Sequence, residues 1–303
     1  MQIKNEFMNN NMINYSIIIP HYKNVELLNR CVSSIPSRSD IEIIIIDDHS
    51  EIDEEIFYSY ESLKRKNVQI HFLMEGGNAG RARNVGLKYA KGEWLLFVDA
   101  DDFILDKEFN LCDKYYNSDY DIVYFGVRSV DCETLQEVER YKIYNKYIDM
   151  CDNTSEETID MLRFRHDVPW GKMIRHELVK NNNIFFGETK YCNDTLFSTL
   201  TALYAKSVFA DKSLFYCVTE RGDSLTKQRS IDSEFIRYEV MLNKNQILKK
   251  HGFSRYQISV LYYLATFVKN DIRLLFKALS LALKYKVNPF VVFFESVRRK
   301  INK

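Results

Sequence analysis

The chain lacks a net charge: its 303 residues carry 42 Lys and Arg against 42 Asp and Glu. Without a global positive field it is not built to gather polyanions, which sets nucleic acid aside as a partner. It also lacks a C-x-x-C pair. Its six cysteines, Cys31, Cys112, Cys132, Cys151, Cys192 and Cys217, are scattered, which argues against a zinc ribbon or a thioredoxin-type site. An even count admits three disulfides, but a chain of this size needs none, so reduced thiols and a cytoplasmic setting are expected. Long apolar runs are missing too. The start, MQIKNEFMNNNMIN, has no secretory apolar core. The longest late run, PFVVFF (289–294), is far short of the roughly 20 residues of a spanning helix, so no membrane crossing is expected. Repeats and low-complexity tracts are absent.

What is present reads as a soluble globular protein, with 46% hydrophobic and 28% charged residues. The 20 Tyr, 20 Phe and 2 Trp suit a carbohydrate or nucleobase binder, and a large core explains them equally well. Apolar runs at 15–19, 41–46, 68–73, 94–98 and 121–125 read as strands. The second and fourth are too continuously apolar for a half-exposed strand and predict burial on both faces. Helical spacing marks 24–35 and 79–90 between them, the latter with Asn78 as N-cap. Strand alternating with helix predicts a doubly wound, mostly parallel α/β sheet with helices on both faces. After Arg229 the pattern turns helical.

In open α/β sheets ligands bind beyond the carboxyl ends of the strands. There the sequence collects Pro20, His21 and Tyr22; Asp47, Asp48 and His49; EGGNAGRARN (75–84); and Asp99, Ala100, Asp101 and Asp102. The last group is the oddest. Two like charges about 4 Å apart repel by roughly 1 kcal/mol in water and about 4 at an effective dielectric of 20, so either a solvated turn or a bound cation must accommodate the crowding. The glycines match neither a P-loop nor the G-x-G-x-x-G dinucleotide spacing, which sets ATPases and NAD enzymes aside.

SIIIPHYKN, EIIIIDDHS, GNAGRARNVGL and WLLFVDADD, in that order, resemble the signatures of family 2 glycosyltransferases of the GT-A fold. PWGKMIRHELVKNNNIFF, NDTLF and RGDSLT resemble that family's acceptor-side blocks, as found in bacterial surface-polysaccharide enzymes. The resemblance covers roughly residues 14–228. It implies an N-terminal extension (1–13), a nucleotide-sugar half (14–110), an acceptor half (111–228) and a C-terminal helical region (229–303). It further implies that Tyr22, beside Pro20, stacks on the base. Asp47, with Asp48 next to it, would accept the ring N–H that uracil and thymine both offer. Arg83 would support base or phosphates; the alternative is that it neutralises the acidic edge. Asp101 and Asp99 would hold Mn²⁺ or Mg²⁺, with Ala100 between them at the nucleotide and Asp102 as a support behind the ligands, an alternative ligand or a diphosphate or acceptor contact. Asp194 would be the base that takes the acceptor's proton, or else an N-cap for the helical run after it. Trp170, Lys172, Asn193 and Arg221 would meet diphosphate or acceptor. Asn193 stands where the family usually has Glu, and His49 where Gly is common.

The implied activity is inverting, metal-dependent transfer of a hexose or N-acetylhexosamine from a UDP-sugar to a glycan or lipid-linked acceptor. Bacterial capsule, lipopolysaccharide or O-antigen assembly on the cytoplasmic side is the implied setting. A sugar-nucleotide pyrophosphorylase and a non-catalytic glycan-binding protein are the alternatives. His166 reads as an ordinary surface or core histidine rather than a metal ligand. From Leu283 onward six basic residues face one acid, which suits contact with anionic membrane through the C-terminus. A packed last helix with a solvated basic end explains it as well.

Overall fold

The computed structural model describes residues 12–222 and 229–290. Eight strands form one sheet: β1 (Tyr15–His21), β2 (Ile41–Asp47), β3 (Val68–Phe72), β4 (Trp94–Phe97), β5 (Phe103–Ile104), β6 (Ile122–Asp131), β7 (Lys172–Arg175) and β8 (Val208–Glu220). Their spatial order is β3-β2-β1-β4-β7-β6-β8-β5. β1 pairs in parallel with β2 and β4, and β2 with β3. β7 runs antiparallel between β4 and β6, β6 pairs in parallel with β8, and β5 runs antiparallel to β8. The sheet is therefore mixed, with β5 and β7 reversed. Its two expected halves share it, because β5 pairs with β8 from beyond residue 111.

The period-2 geometry of strands divides the isoleucines between two cores. Ile17, Ile19, Ile43, Ile45, Trp94 and Leu96 enter one; Ile18, Ile44, Ile46, Leu95 and Phe97 enter the other. Every residue of β1, β2 and β4 is buried. Each buried Ile or Leu contributes roughly 1.5–3 kcal/mol relative to exposure.

The helices are α1 (Val25–Ser33), α2 (Glu54–Phe57), α3 (Ala79–Tyr89), α4 (Asn110–Tyr115), α5 (Lys142–Met150), α6 (Glu156–Arg165), α7 (His176–Asn181), α8 (Thr195–Tyr204), α9 (Ile231–Lys250), α10 (Leu261–Asn270) and α11 (Ile272–Lys284). The first core takes its helical residues from α1, α2 and α4. α3 and α5 to α8 cover the other face. The expected C-terminal helical region is present as α9–α11. These helices bury Tyr238, Leu242, Leu264, Phe267, Ala278 and Ala282 among themselves. A smaller cluster of Phe164, Ala202, Leu248 and Tyr256 fastens α9 to α6 and α8. Among the described residues no helix is long and apolar enough to cross a membrane.

Candidate functional site

The carboxyl ends of β1 and β4 open into a cleft lined by Pro20, Tyr22, Arg83, Asp99, Ala100, Asp101 and Arg221, all expected from the sequence, and by His21, Asn24, Leu27 and Ala79. Chain reversals bring them there. Lys23 adopts a left-handed φ of 70° just after β1, and α1 follows with Asn24 as its cap. Tyr22 is 57% exposed, leaving a ring face available to a planar ligand. α3 starts at Asn78, as expected, whose side chain accepts from the Gly80 and Arg81 amides at 3.0 and 3.1 Å. Such a cap is worth about 1 kcal/mol.

One turn into α3, Arg83 acts as a bridge. Its Nη2 donates to Asp99 Oδ1 at 2.5 Å and its Nη1 to Asn193 Oδ1 at 3.0 Å, and only 5% of the side chain is exposed. The planar guanidinium suits two divergent acceptors as a lysine would not. Arg83 thus lines the cleft and pairs with an aspartate of its acidic edge. Because position 193 is Asn and not Glu, the Arg83 charge is shared by Asp99 and Asp194 instead of being taken up by a neighbouring acid.

The three aspartates after β4 part company. Asp101 lies in the cleft, 3.9 Å from Arg221 Nη1. Burial, then the charge of Asp99, pushes its pKa up. Asp102, expected as a support behind the ligands or as an alternative ligand, is 3% exposed and bonded to β8: Oδ2 accepts from Tyr216 Oη at 2.8 Å and Oδ1 from the Thr219 amide at 2.6 Å. Its pKa is driven far up by burial and by Asp101. Asp102 therefore straps the turn to β8. Among the described residues no group of three acidic, histidine or cysteine side chains gathers as a complete metal site. Asp99 and Asp101 alone still fit Mg²⁺ or Mn²⁺, which commonly takes one or two carboxylates plus substrate phosphates and water. Asp101's raised proton affinity is the mark of an anionic spot that a cation would relieve.

Asp47, expected to accept the ring N–H of the base, ends β2. It does not line the cleft. It is 3% exposed, and its carboxylate accepts from His21 Nδ1 at 2.7 Å, Ser50 Oγ at 2.5 Å and the Ser50 amide at 2.9 Å. Burial alone would raise its pKa, but the bonds from His21 and Ser50 outweigh it and hold the group below the usual range. Asp48 accepts from the Gly77 amide at 2.9 Å, which ties the glycine loop to the end of β2. His49 holds the left-handed turn with φ 60°, a conformation His tolerates better than bulky residues do. Trp170 and Lys172, expected at diphosphate or acceptor, are buried. Trp170 stacks on Tyr216 at 5.2 Å, and Lys172 is 1% exposed. His166 is also buried, edge-on to Tyr124.

Asp194 stands at the start of α8, beside the Asn193 that Arg83 holds. Its side chain makes no capping bond, so the structural alternative is not used. Burial pushes its pKa up to about 6, against the opposing charge of Arg83. Gly80 permits the approach, since a Cβ there would lie 2.1 Å from the Gly187 carbonyl and 2.9 Å from Asn193 Cβ. Of RGDSLT, residues 223–226 lie outside the described residues.

The sequence reading missed three supports. Tyr216 accepts the Asp99 amide at 3.0 Å while donating to Asp102. Arg30 donates to the Asp101 carbonyl at 2.7 Å. Ser50 anchors Asp47. Tyr216 and Arg30 lie far along the chain from the groups they hold, so no local pattern could have revealed them.

The sequence pattern described as Glycosyl transferase family 2 matches residues 16–182, more than half of the chain. Relatives include the poly(ribitol-phosphate) beta-N-acetylglucosaminyltransferase TarS of Staphylococcus aureus, 27% identical over 240 residues that cover 76% of this chain and 39% of TarS. The poly(ribitol-phosphate) beta-glucosyltransferase of Bacillus spizizenii is 28% identical, with 70% of this chain and 33% of that protein covered. The chain thus spans about two-fifths or less of the length of these relatives. Among solved structures, TarS 1–349 in complex with UDP-GlcNAc superposes with a TM-score of 0.61 at 22% identity, covering 82% of this chain and 73% of that one. The mannosyltransferase PcManGT of Pyrobaculum calidifontis, in complex with GDP-Man and Mn²⁺, gives 0.55 at 13% identity, covering 95% and 87%. At these identities the superpositions carry the fold, and the sequence match carries the family: the chain belongs to glycosyl transferase family 2, built on the GT-A fold.

Proposed function

We propose that this chain is an inverting, metal-dependent glycosyltransferase that moves a hexose or N-acetylhexosamine from a UDP-sugar to a hydroxyl of a bacterial cell-surface polymer. The observation that carries this is the arrangement around Arg83: cleft carboxylates on one side, and on the other an Asp194 whose carboxylate caps nothing. Tyr22 would stack on the base, and Asp99 and Asp101 would hold Mg²⁺ or Mn²⁺ against the diphosphate. The ion supplies charge stabilisation for the departing diphosphate. Arg83 pairs with Asp99 and, through Asn193, holds the Asp194 loop in place. Asp194 receives the proton of the acceptor hydroxyl as it attacks the anomeric carbon, and a pKa near 6 suits that transfer at neutral pH. A single displacement inverts the anomeric centre.

For the acceptor, the names of the relatives favour a polyol-phosphate chain over the capsule, lipopolysaccharide or O-antigen first expected. A pyrophosphorylase gains no support, because β1 runs through Pro20–Asn24 directly into α1 without a glycine-rich loop.

Calorimetric titration with UDP-GlcNAc, UDP-glucose and UDP, with and without Mn²⁺, tests the donor side. Ion-assisted binding of a UDP-sugar is expected, and its absence for every nucleotide sugar by folded protein overturns the proposal. Transfer of labelled sugar to poly(ribitol phosphate), compared with neutral glycans, tests the acceptor.

Peripheral contact with anionic membrane remains part of the proposal, with a cytoplasmic location. Ile272, Phe276 and Leu283 form an exposed apolar ridge on α11, with Arg273 and Lys284 beside it. Residues 291–303 of the basic segment lie outside the described residues. Flotation with anionic liposomes is the check, and loss of binding in Phe276→Glu is the expected outcome.

A further inference from the structure

Behind Asp194 lies a set of charges that the reaction as described leaves unused. Lys172, on β7, points its Nζ at the His166 carbonyl and at Ser198 Oγ, each 3.4 Å away, and stands 5.2 Å from the Tyr124 ring centroid. Ser198 belongs to the first turn of α8, and its amide donates to the Asp194 carbonyl at 2.9 Å. Lys244, on α9, is fully buried. It donates to the Phe164 carbonyl at 2.8 Å and pairs with Asp167 Oδ1. Two lysines thus enter the interior beneath the candidate base, facing two carboxylates, Asp167 and Asp194. Burying an ammonium group costs several kcal/mol unless it is paired, so two such groups in one place need a compensating role.

We propose that Lys172 is a positioning residue for Asp194: it holds the first turn of α8 through Ser198 and supplies the buried positive charge that favours the ionised carboxylate. Lys244 completes the arrangement by fixing Asp167, which would otherwise compete for Lys172. The inference rests on the reading of Asp194 as the base. It also gives α9 a part in the chemistry, since this helix of the C-terminal region carries the cation that pairs with Asp167.

The charges that Lys172 meets support the assignment. Burial lowers its pKa to about 7, while Asp167 and Asp194 pull it up and Lys244 pushes it down. His166 is kept neutral by burial and then by Lys172. Asp194 meets Arg83, Asp167 and Asp99 as well. As Asp194 takes up the acceptor's proton it loses its charge, and Lys172 loses a partner. The lysine therefore favours the ionised state that begins the reaction, and its effect belongs on the acid limb of the pH profile.

The test is a cycle of Lys172→Met, Asp194→Asn and the double variant in the full chain, with Lys172→Arg as the conservative replacement. Donor affinity in Mn²⁺, melting temperature and the pH dependence of kcat/KM are measured for each. If Lys172 acts through Asp194, Lys172→Met moves the acid limb up by about one pH unit and lowers kcat/KM at pH 6 about fivefold. Donor affinity stays within twofold, Lys172→Arg returns the limb toward its original place, and the lysine change adds little to Asp194→Asn. A limb that does not move, or an equal loss in both Asp194 backgrounds, overturns the inference and leaves the base assignment standing. Near-normal transfer by Asp194→Asn overturns the base assignment itself. Should Lys172→Met fail to fold, Lys172→Gln removes the same charge while keeping a polar group for Ser198, and a limb unmoved in that variant overturns the inference equally.

Discussion

Asp194 is held between two influences of opposite sign: burial, which favours its protonated form, and Arg83, which favours the ionised one. Burial wins, and the group sits near 6, about two units above an exposed aspartate. A base must be unprotonated to work, so kcat/KM is expected to fall about tenfold for each pH unit below 6 and to level off above it. A pH–rate profile under saturating metal checks this. Asp194→Asn is expected to lower turnover by roughly 10²–10⁴ with donor affinity unchanged, measured by transfer assay and calorimetry. Gly80 is the other decisive single position. Gly80→Ala forces a Cβ into the Gly187 carbonyl, a backbone contact that no rotamer change relieves. A loss of about 1–3 kcal/mol in stability is expected by denaturant titration, with turnover impaired because the Asp194 loop is pushed from α3.

The turn after β4 is an element whose three carboxylates have separate duties. Asp99 answers to Arg83, Asp101 faces the cleft, and Asp102 is an internal strut of β8. Asp101→Ala is therefore expected to abolish the ion dependence of nucleotide binding with little effect on stability. Asp102→Ala leaves Tyr216 Oη and the Thr219 amide without their acceptor. It is expected to cost about 1–3 kcal/mol while the ion dependence persists. Paired thermal melts and calorimetry separate the two. In sequence these neighbours look alike. Their strand was legible because five consecutive apolar residues, Trp94 to Val98, admit few other readings, but which carboxylate turns inward depends on Tyr216 and Thr219, more than a hundred residues away. The enclosure of Asp47 has one local and one distant source: Ser50 engages it within the turn, whereas His21 reaches it only after β1 and β2 pair.

At the scale of the whole molecule, α9 is a structural partner of the helices that cover the sheet. Leu248 and Tyr256 pack with Phe164 and Ala202, and Lys244 reaches Asp167. Each such buried side chain contributes roughly 1.5–3 kcal/mol against a net stability of about 5–15 kcal/mol for a typical protein. A chain ending at Gly222 is expected to be aggregated or expanded in light scattering. The sequence alone determined the alternating α/β order, the strands buried on both faces and the edge of the sheet where the candidate site residues gather. These follow from hydrophobic period and local turn chemistry, which act over a few residues. Only the tertiary structure decided that β7 runs antiparallel, that Arg83 joins Asp99 to Asn193, and that Asp47, Asp102, Trp170 and Lys172 are interior groups. Those outcomes depend on which distant hydrogen-bond partners and charges the packed chain brings within reach, and no local pattern of residues encodes that pairing.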